Sequence, residues 1–62
     1  MRRRYDVQYN QATRQYVVEL WDEQGHRRQV ETFSEWGSAD HLRGELNRRL
    51  EQTGQLLPES RR

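Results

Sequence analysis

The hydrophobic period of this chain changes once. In the first strand-like segment Tyr5, Val7 and Tyr9 recur at every second position, and from Ala39 to Leu50 the apolar residues recur every three or four. A period of two marks a strand with one buried face, and a period of about 3.6 marks a helix with one buried stripe. The chain is thereby restricted to strands followed by a helix. Tyr5, Val7 and Tyr9 alternate with Asp6, Gln8 and Asn10, which predicts a first strand, and Asn10-Gln11-Ala12-Thr13-Arg14 is a polar hairpin loop. Gln15 to Asp22 carries Tyr16, Val17, Val18, Leu20 and Trp21, side chains that favour strands. Asp22-Glu23-Gln24-Gly25 is a turn in which Gly25 supplies the positive φ of a tight hairpin, and Arg27 to Phe33 is a third strand. Loops this short force sequential strands to pair antiparallel.

A helix follows. Ser34 or Ser38 can open it, and Ser38 is the better N-cap because Asp40 then falls in the first turn. Ala39, Leu42, Leu46, Leu50 and Thr53 lie in one stripe, and Gly54 suits the left-handed stop beyond the last turn. The expected fold is α+β: a three-stranded antiparallel meander followed by one C-terminal helix packed on one face. The expected organisation is a single domain over residues 1–62, ordered from about 4 to 54, with a tail over 55–62. Tyr16, Val18, Leu20, Tyr5, Val7, Tyr9 and Val30 are expected to face the helix. Asp6, Gln8, Asn10, Val17, Glu19, Trp21, Arg27, Gln29 and Glu31 are expected on the other side.

The core will be thin. Leu, Val and Phe together number 11 of 62 residues and Ile is absent, which lies just under the roughly 20% line below which chains of high net charge are disordered. The net charge of +1 removes the other condition for disorder, so the periodic apolar residues are expected to fold. With no cysteine there is neither a disulfide nor a thiolate metal site, and a protein partner or self-association is the remaining route to more covered apolar surface. No apolar run is long enough to span a membrane, and Met1-Arg2-Arg3-Arg4 leads into no apolar stretch, so the expected location is the cytoplasm.

All 11 basic residues are Arg, which fits a GC-rich coding bias as well as selection for bidentate phosphate contacts. Arg2, Arg3, Arg4, Arg61 and Arg62 lie at the ends, whereas Tyr5 to Ser60 holds 6 Arg against 10 acids. An acidic body with basic ends argues against a basic face built into the fold. Arg27 and Arg28 on the third strand, with Arg14 in the first loop, can form a phosphate-contacting cluster, or can pair with Glu19, Glu31 and Asp22 as a solvated surface. Val17 and Trp21 on an outward sheet face form a candidate protein interface. Trp36 is expected to plug the sheet–helix junction, and Gly44, opposite the leucine stripe, either admits a partner backbone or is neutral.

For catalysis the inventory is poor. His26 and His41 are isolated, no Gly-rich phosphate loop is present, and one sheet with one helix offers no substrate cleft. No enzymatic activity, no cofactor, no metal and no small-molecule substrate is expected.

Tyr5-x-Val7-x-Tyr9, Tyr16-Val17-Val18, Gly25-His26-Arg27-Arg28 and Phe33 ahead of a helix together resemble the arm-type DNA-binding domain of phage and transposon tyrosine recombinases, over about residues 5–53. The resemblance implies a three-stranded sheet that enters the major groove, with Gln8, Asn10, Glu19, Trp21, Arg27 and Gln29 facing the bases. Of these, Gln8 and Gln29 join Arg14, Arg27 and Arg28 as nucleic-acid-binding candidates. The expected function is therefore a non-catalytic binding module, a nucleic-acid-binding accessory protein of a mobile element. The alternative is a small protein-interaction module, an adaptor, inhibitor or obligate homo-oligomer, working through its exposed sheet face.

Overall fold

A computed structural model describes residues 2–57. Among these residues, strands β1 (Arg3–Asn10), β2 (Gln15–Asp22) and β3 (Arg27–Phe33) precede a single helix, α1 (Trp36–Gln52). The strands form one antiparallel sheet in the order β1-β2-β3, and α1 packs on one face, giving the expected α+β meander. No helix among the described residues is long and apolar enough to cross a membrane.

The first two strands pair without interruption from Arg3↔Asp22 to Asn10↔Gln15. This register puts Tyr5, Val7 and Tyr9 on one face with Leu20, Val18 and Tyr16. It is the helix face, since the Tyr16 ring meets Trp36 of α1 edge-on with centroids 5.9 Å apart. Val18 and Ala39 are fully buried there, and the burial of Val18 alone contributes about 1.5–3 kcal/mol.

Strand β3 departs from simple alternation. Val18 pairs with Glu31 but Glu19 pairs with Gln29, so Val30 is the extra residue of a bulge. The slip changes the phase of the strand. Arg27 and Gln29 lie on the open face as expected, whereas Val30, expected inward, is 43% exposed, and Glu31, expected outward, stands opposite Val18. The same slip brings Phe33 opposite Tyr16 on the helix face. Unbroken alternation from Gln29 would have left that ring on the open side.

The helix begins earlier than its serines suggest. Glu35, in extended conformation, is the N-cap and makes no side-chain capping bond, and the first turn starts at Trp36. The earlier start brings Trp36 against Tyr16, an aromatic contact that a helix capped at Ser38 would leave outside the element. At the other end Gly54 takes φ 72°, its N–H donates to Glu51 O (3.1 Å), and Gln55 N–H donates to Leu50 O (2.8 Å). These two bonds are the Schellman closure expected at Gly54. A Cβ at Gly44 would meet nothing within 4 Å, so no close packing within the chain accounts for that glycine.

Residues beyond the helix do not trail away at 55. Arg3 N–H donates to Gln55 O and Leu57 N–H donates to Arg3 O, both at 2.7 Å, so Gln55–Leu57 lies parallel against the start of β1. The Schellman reversal turns the chain back toward the sheet, which is why the segment docks there; the rest of the expected tail, residues 58–62, lies outside the described residues. Two residues further along β1, the Asn47 side chain completes the cover. Tyr5 N–H donates to Asn47 Oδ1 (2.8 Å), and Asn47 Nδ2 donates to Tyr5 O (3.0 Å). A primary amide carries the same donor and acceptor as a peptide unit, so Asn47 pairs with the outer edge of β1 as a further strand would.

Truncation of Asn47 leaves a part-buried backbone donor and acceptor without partners. Asn47→Ala is expected to lower the unfolding free energy by about 1–3 kcal/mol in urea titration, and Asn47→Asp to lower it at least as much at neutral pH, because a carboxylate oxygen then faces the Tyr5 carbonyl where Nδ2 had donated.

Candidate functional site

The second hairpin sets the geometry of the polar end of the sheet. Asp22 Oδ1 accepts N–H bonds from Gln24 (2.9 Å) and His26 (3.0 Å), Gly25 N–H donates to Asp22 O (3.2 Å), and Asp22 N–H donates to His26 O (3.0 Å). Gly25 sits at φ 83°. This is a three-residue hairpin loop with glycine at the left-handed position, and it fixes where Arg27 and Arg28 leave the turn. Strand β1 begins at the same end, so the N-terminal arginines are drawn into the sheet beside them. Arg3 stands opposite Asp22, Arg4 and Arg27 flank Trp21 from either side, and Arg28 stands opposite Leu20. Arg2 N–H donates to Glu23 Oε1 across the turn (2.9 Å).

On the open face, Arg4, Trp21 and Arg27 form one row across the three strands, and Asp6, Glu19 and Gln29 form the next. The Arg27 guanidinium lies 5.3 Å from the centre of the Trp21 ring, a cation–π contact of about 0.5–1 kcal/mol at a partly exposed site. Two carboxylates directly opposite each other repel. Here Arg4 Nε stands 3.5 Å from Asp6 Oδ2 and Arg27 Nη1 stands 3.9 Å from Glu19 Oε1, so each carboxylate has a cation and the face neutralises itself. Trp21 Nε1 is buried with no hydrogen-bond acceptor among the described residues. Farther along, Gln8, Val17 and Thr32 form a third row. A shallow concavity of about 870 Å³ runs over this face between Gln8, Asn10, Val17, Glu19, Arg27 and Gln29.

The nucleic-acid candidates Gln8, Arg27 and Gln29 thus share one face with Trp21 and Val17. Arg28 lies on the opposite side, because it follows Arg27 in an alternating strand. Arg14 is at the far end of the sheet, since a meander puts its two hairpins at opposite ends, separated by roughly 20 Å over six strand residues. Arg14, Arg27 and Arg28 do not form a cluster. Of the protein-interface pair, Val17 is on the open face but only 7% exposed, hemmed between Gln8 and Thr32, so it presents little surface. Trp21 is half-buried beneath Arg27. Trp36, expected as a plug, is 52% exposed and leans on Tyr16 from outside, because the helix begins with it at the rim of the sheet.

Two features are not apparent from the sequence pattern. Arg3 and Arg4 are strand residues beside Arg27 and Arg28, not a loose basic end. Counting back from the first loop would have found them, because Asn10 opposite Gln15 puts Arg3 opposite Asp22. The second feature is an aromatic row, Tyr9–Tyr16–Trp36, with Tyr9 51% exposed and its ring 5.0 Å from that of Tyr16. Among the described residues no group of three or more His, Cys, Asp or Glu is placed to hold a metal ion. His26 Nδ1 faces Asp22 Oδ2 at 3.6 Å, and His41 Nε2 faces Glu45 Oε1 at 3.6 Å. Asp40 pairs with Arg43 one turn along the helix.

Compared with known proteins, the chain matches no family model, no curated protein and no solved structure.

Arg14 holds φ 56° at the end of the first loop, where Asn10 Oδ1 accepts N–H bonds from Ala12 (3.0 Å) and Thr13 (3.4 Å). A left-handed backbone suits glycine better than arginine. Arg14→Gly is expected to raise the unfolding free energy by about 0.5 kcal/mol in urea titration, the relief at φ > 0 exceeding the added freedom of the unfolded chain.

Proposed function

We propose that this chain is a non-catalytic binding module that takes a nucleic acid at the arginine-bearing end of its sheet. The observation that supports this reading is the meeting of Arg3, Arg4, Arg27 and Arg28, from two sequence-distant segments, around Trp21 and Leu20. Guanidinium groups supply sequence-independent attraction to phosphates, and Gln29 in the next row and Gln8 in the row beyond carry the donor–acceptor pairs that suit base edges. Asp6 and Glu19 are each paired with an arginine, which lessens their repulsion of a phosphate backbone. The resemblance to arm-type recombinase domains points the same way, toward an accessory role in a mobile element.

A second reading, a protein-interaction module, draws support from the exposed rings of Tyr9 and Trp36 at the opposite end of the molecule. Aromatic rings are enriched at protein interfaces.

Fluorescence anisotropy with short duplex DNA and RNA at two salt concentrations separates the readings. The nucleic-acid reading predicts that Arg27→Ala with Arg28→Ala weakens binding and flattens the salt slope by about 0.9 for each phosphate no longer neutralised, while Trp36→Ala changes little. Binding that ignores both salt and the arginine pair would contradict it.

A further inference from the structure

The helix-side face of the arginine end holds a hollow of about 280 Å³, bounded by Arg3, Leu20, Asp22, His26, Arg27 and Arg28. No residue of α1 lines it. Register fixes what points into it. Arg3 is opposite Asp22 and Arg28 is opposite Leu20, and Asp22 and Leu20 share a face of β2, so Arg3 and Arg28 rise on the same side with Leu20 between them. Two strand spacings separate β1 from β3 by roughly 10 Å, a gap that two extended arginine side chains can close over a single small anion. The Arg27 guanidinium is engaged on the opposite face by Trp21 and Glu19, so Arg27 contributes only its main chain and stem here.

The charges are unbalanced in one direction. Among the described residues Asp22 is the one carboxylate of the hollow. Its Oδ1 already accepts the N–H groups of Gln24 and His26, while Oδ2 faces His26 Nδ1. Neither Arg3 nor Arg28 makes an ion pair or a side-chain hydrogen bond among the described residues, in contrast to Arg4, Arg27 and Arg43, which stand against carboxylates. The main chain of Arg3 is held at both its N–H and its C=O by Gln55 and Leu57. One arm of the pair therefore springs from a fixed backbone. Two planar guanidinium forks over an apolar floor match the oxygens of a tetrahedral phosphate, which accepts paired N–H bonds from each.

We propose that Arg3 and Arg28 form a phosphate-binding site on the helix side of the sheet, closed beneath by Leu20. The proposal rests on the nucleic-acid reading in that it names where one phosphate group would sit, and it requires of the ligand only that group, carried by a phosphomonoester end or by a phosphodiester backbone.

The test is an amide-resolved NMR titration of the full chain with inorganic phosphate, against sodium chloride at equal ionic strength. It is repeated with one oligonucleotide bearing or lacking a 5′-phosphate. Phosphate is expected to shift the amides of Arg3, His26 and Arg28 beyond the chloride control. R28Q and R3Q are each expected to weaken that binding by about tenfold, while R48Q, on the exposed helix surface, leaves it unchanged. A preference for the 5′-phosphorylated oligonucleotide that disappears in R28Q would identify a monoester end as the source; equal binding of the two, lowered alike by R28Q, would identify the backbone. Phosphate that does no more than chloride, or an R28Q chain that binds as wild type does, overturns the site. If the oligonucleotide still binds with a salt slope in that case, the broader nucleic-acid reading survives. If phosphate binds and no oligonucleotide does, the site stands and that reading fails.

Discussion

The amide of Asn47 holds the molecule together in a way its few buried side chains cannot. Among the described residues only Val17, Val18 and Ala39 form the buried apolar core, so packing alone leaves the helix loosely located on the sheet. Asn47 donates to Tyr5 O and accepts from Tyr5 N–H, joining residues 42 positions apart by two directional bonds. Hydrophobic contact sets no register, whereas a paired amide accepts one arrangement only. The Schellman closure at Gly54 then turns the chain so that Gln55 and Leu57 meet Arg3 beside the same edge. Asn47 and the returning chain together satisfy the outward groups of the first half of β1, a stretch that would otherwise offer a template for another strand.

Closing that edge has a consequence at the other end of the sequence. The N-terminal arginines belong to a strand paired on both sides, by Asp22 and Trp21 within the sheet and by Gln55 and Leu57 outside it. A meander then returns β3 to the same end, where the loop built on Asp22 and Gly25 starts it with Arg27 and Arg28. Basic residues that are scattered in sequence become neighbours through strand register. The two sides of the sheet use them differently: on the open face Arg4 and Arg27 meet acids and a tryptophan ring, and on the helix side Arg3 and Arg28 make no ion pair among the described residues.

Much of this fold is legible from the alternation of Tyr5, Val7 and Tyr9, the strand formers around Val18, the turn at Gly25 and the leucine spacing, because each reflects a local period or a local φ requirement. What stayed hidden depends on pairing between distant segments. The bulge at Val30 has no composition signal; it is the result of bringing Phe33 under the helix while Arg27 and Gln29 remain on the open face. The helix starts at Trp36, two residues ahead of the local capping signal at Ser38, and the start coincides with a ring contact to Tyr16 that local pattern does not show. Asn47 leaves no mark in the helical pattern, since its partner lies in β1. At the candidate site the face shared by Gln8, Trp21, Arg27 and Gln29 follows from alternation, but the separation of Arg14 from Arg27 and the recruitment of Arg3 and Arg4 emerge only once register is counted.

A side-chain amide thus closes the edge of β1 and fixes both the helix and the arginine-bearing end. Amide hydrogen exchange, read residue by residue, is the sharpest probe of that closure. Arg3, Tyr5 and Val7 alternate with the residues whose N–H groups point toward β2, so all three point to the outer edge. Of these, only Arg3 and Tyr5 have acceptors there among the described residues, Gln55 O and Asn47 Oδ1. The Arg3 and Tyr5 amides are expected to exchange as slowly as those of the central strand, with Val7 far faster. A Tyr5 amide that exchanges as quickly as Val7 would mean that the edge is open and that Asn47 does not hold the helix to it.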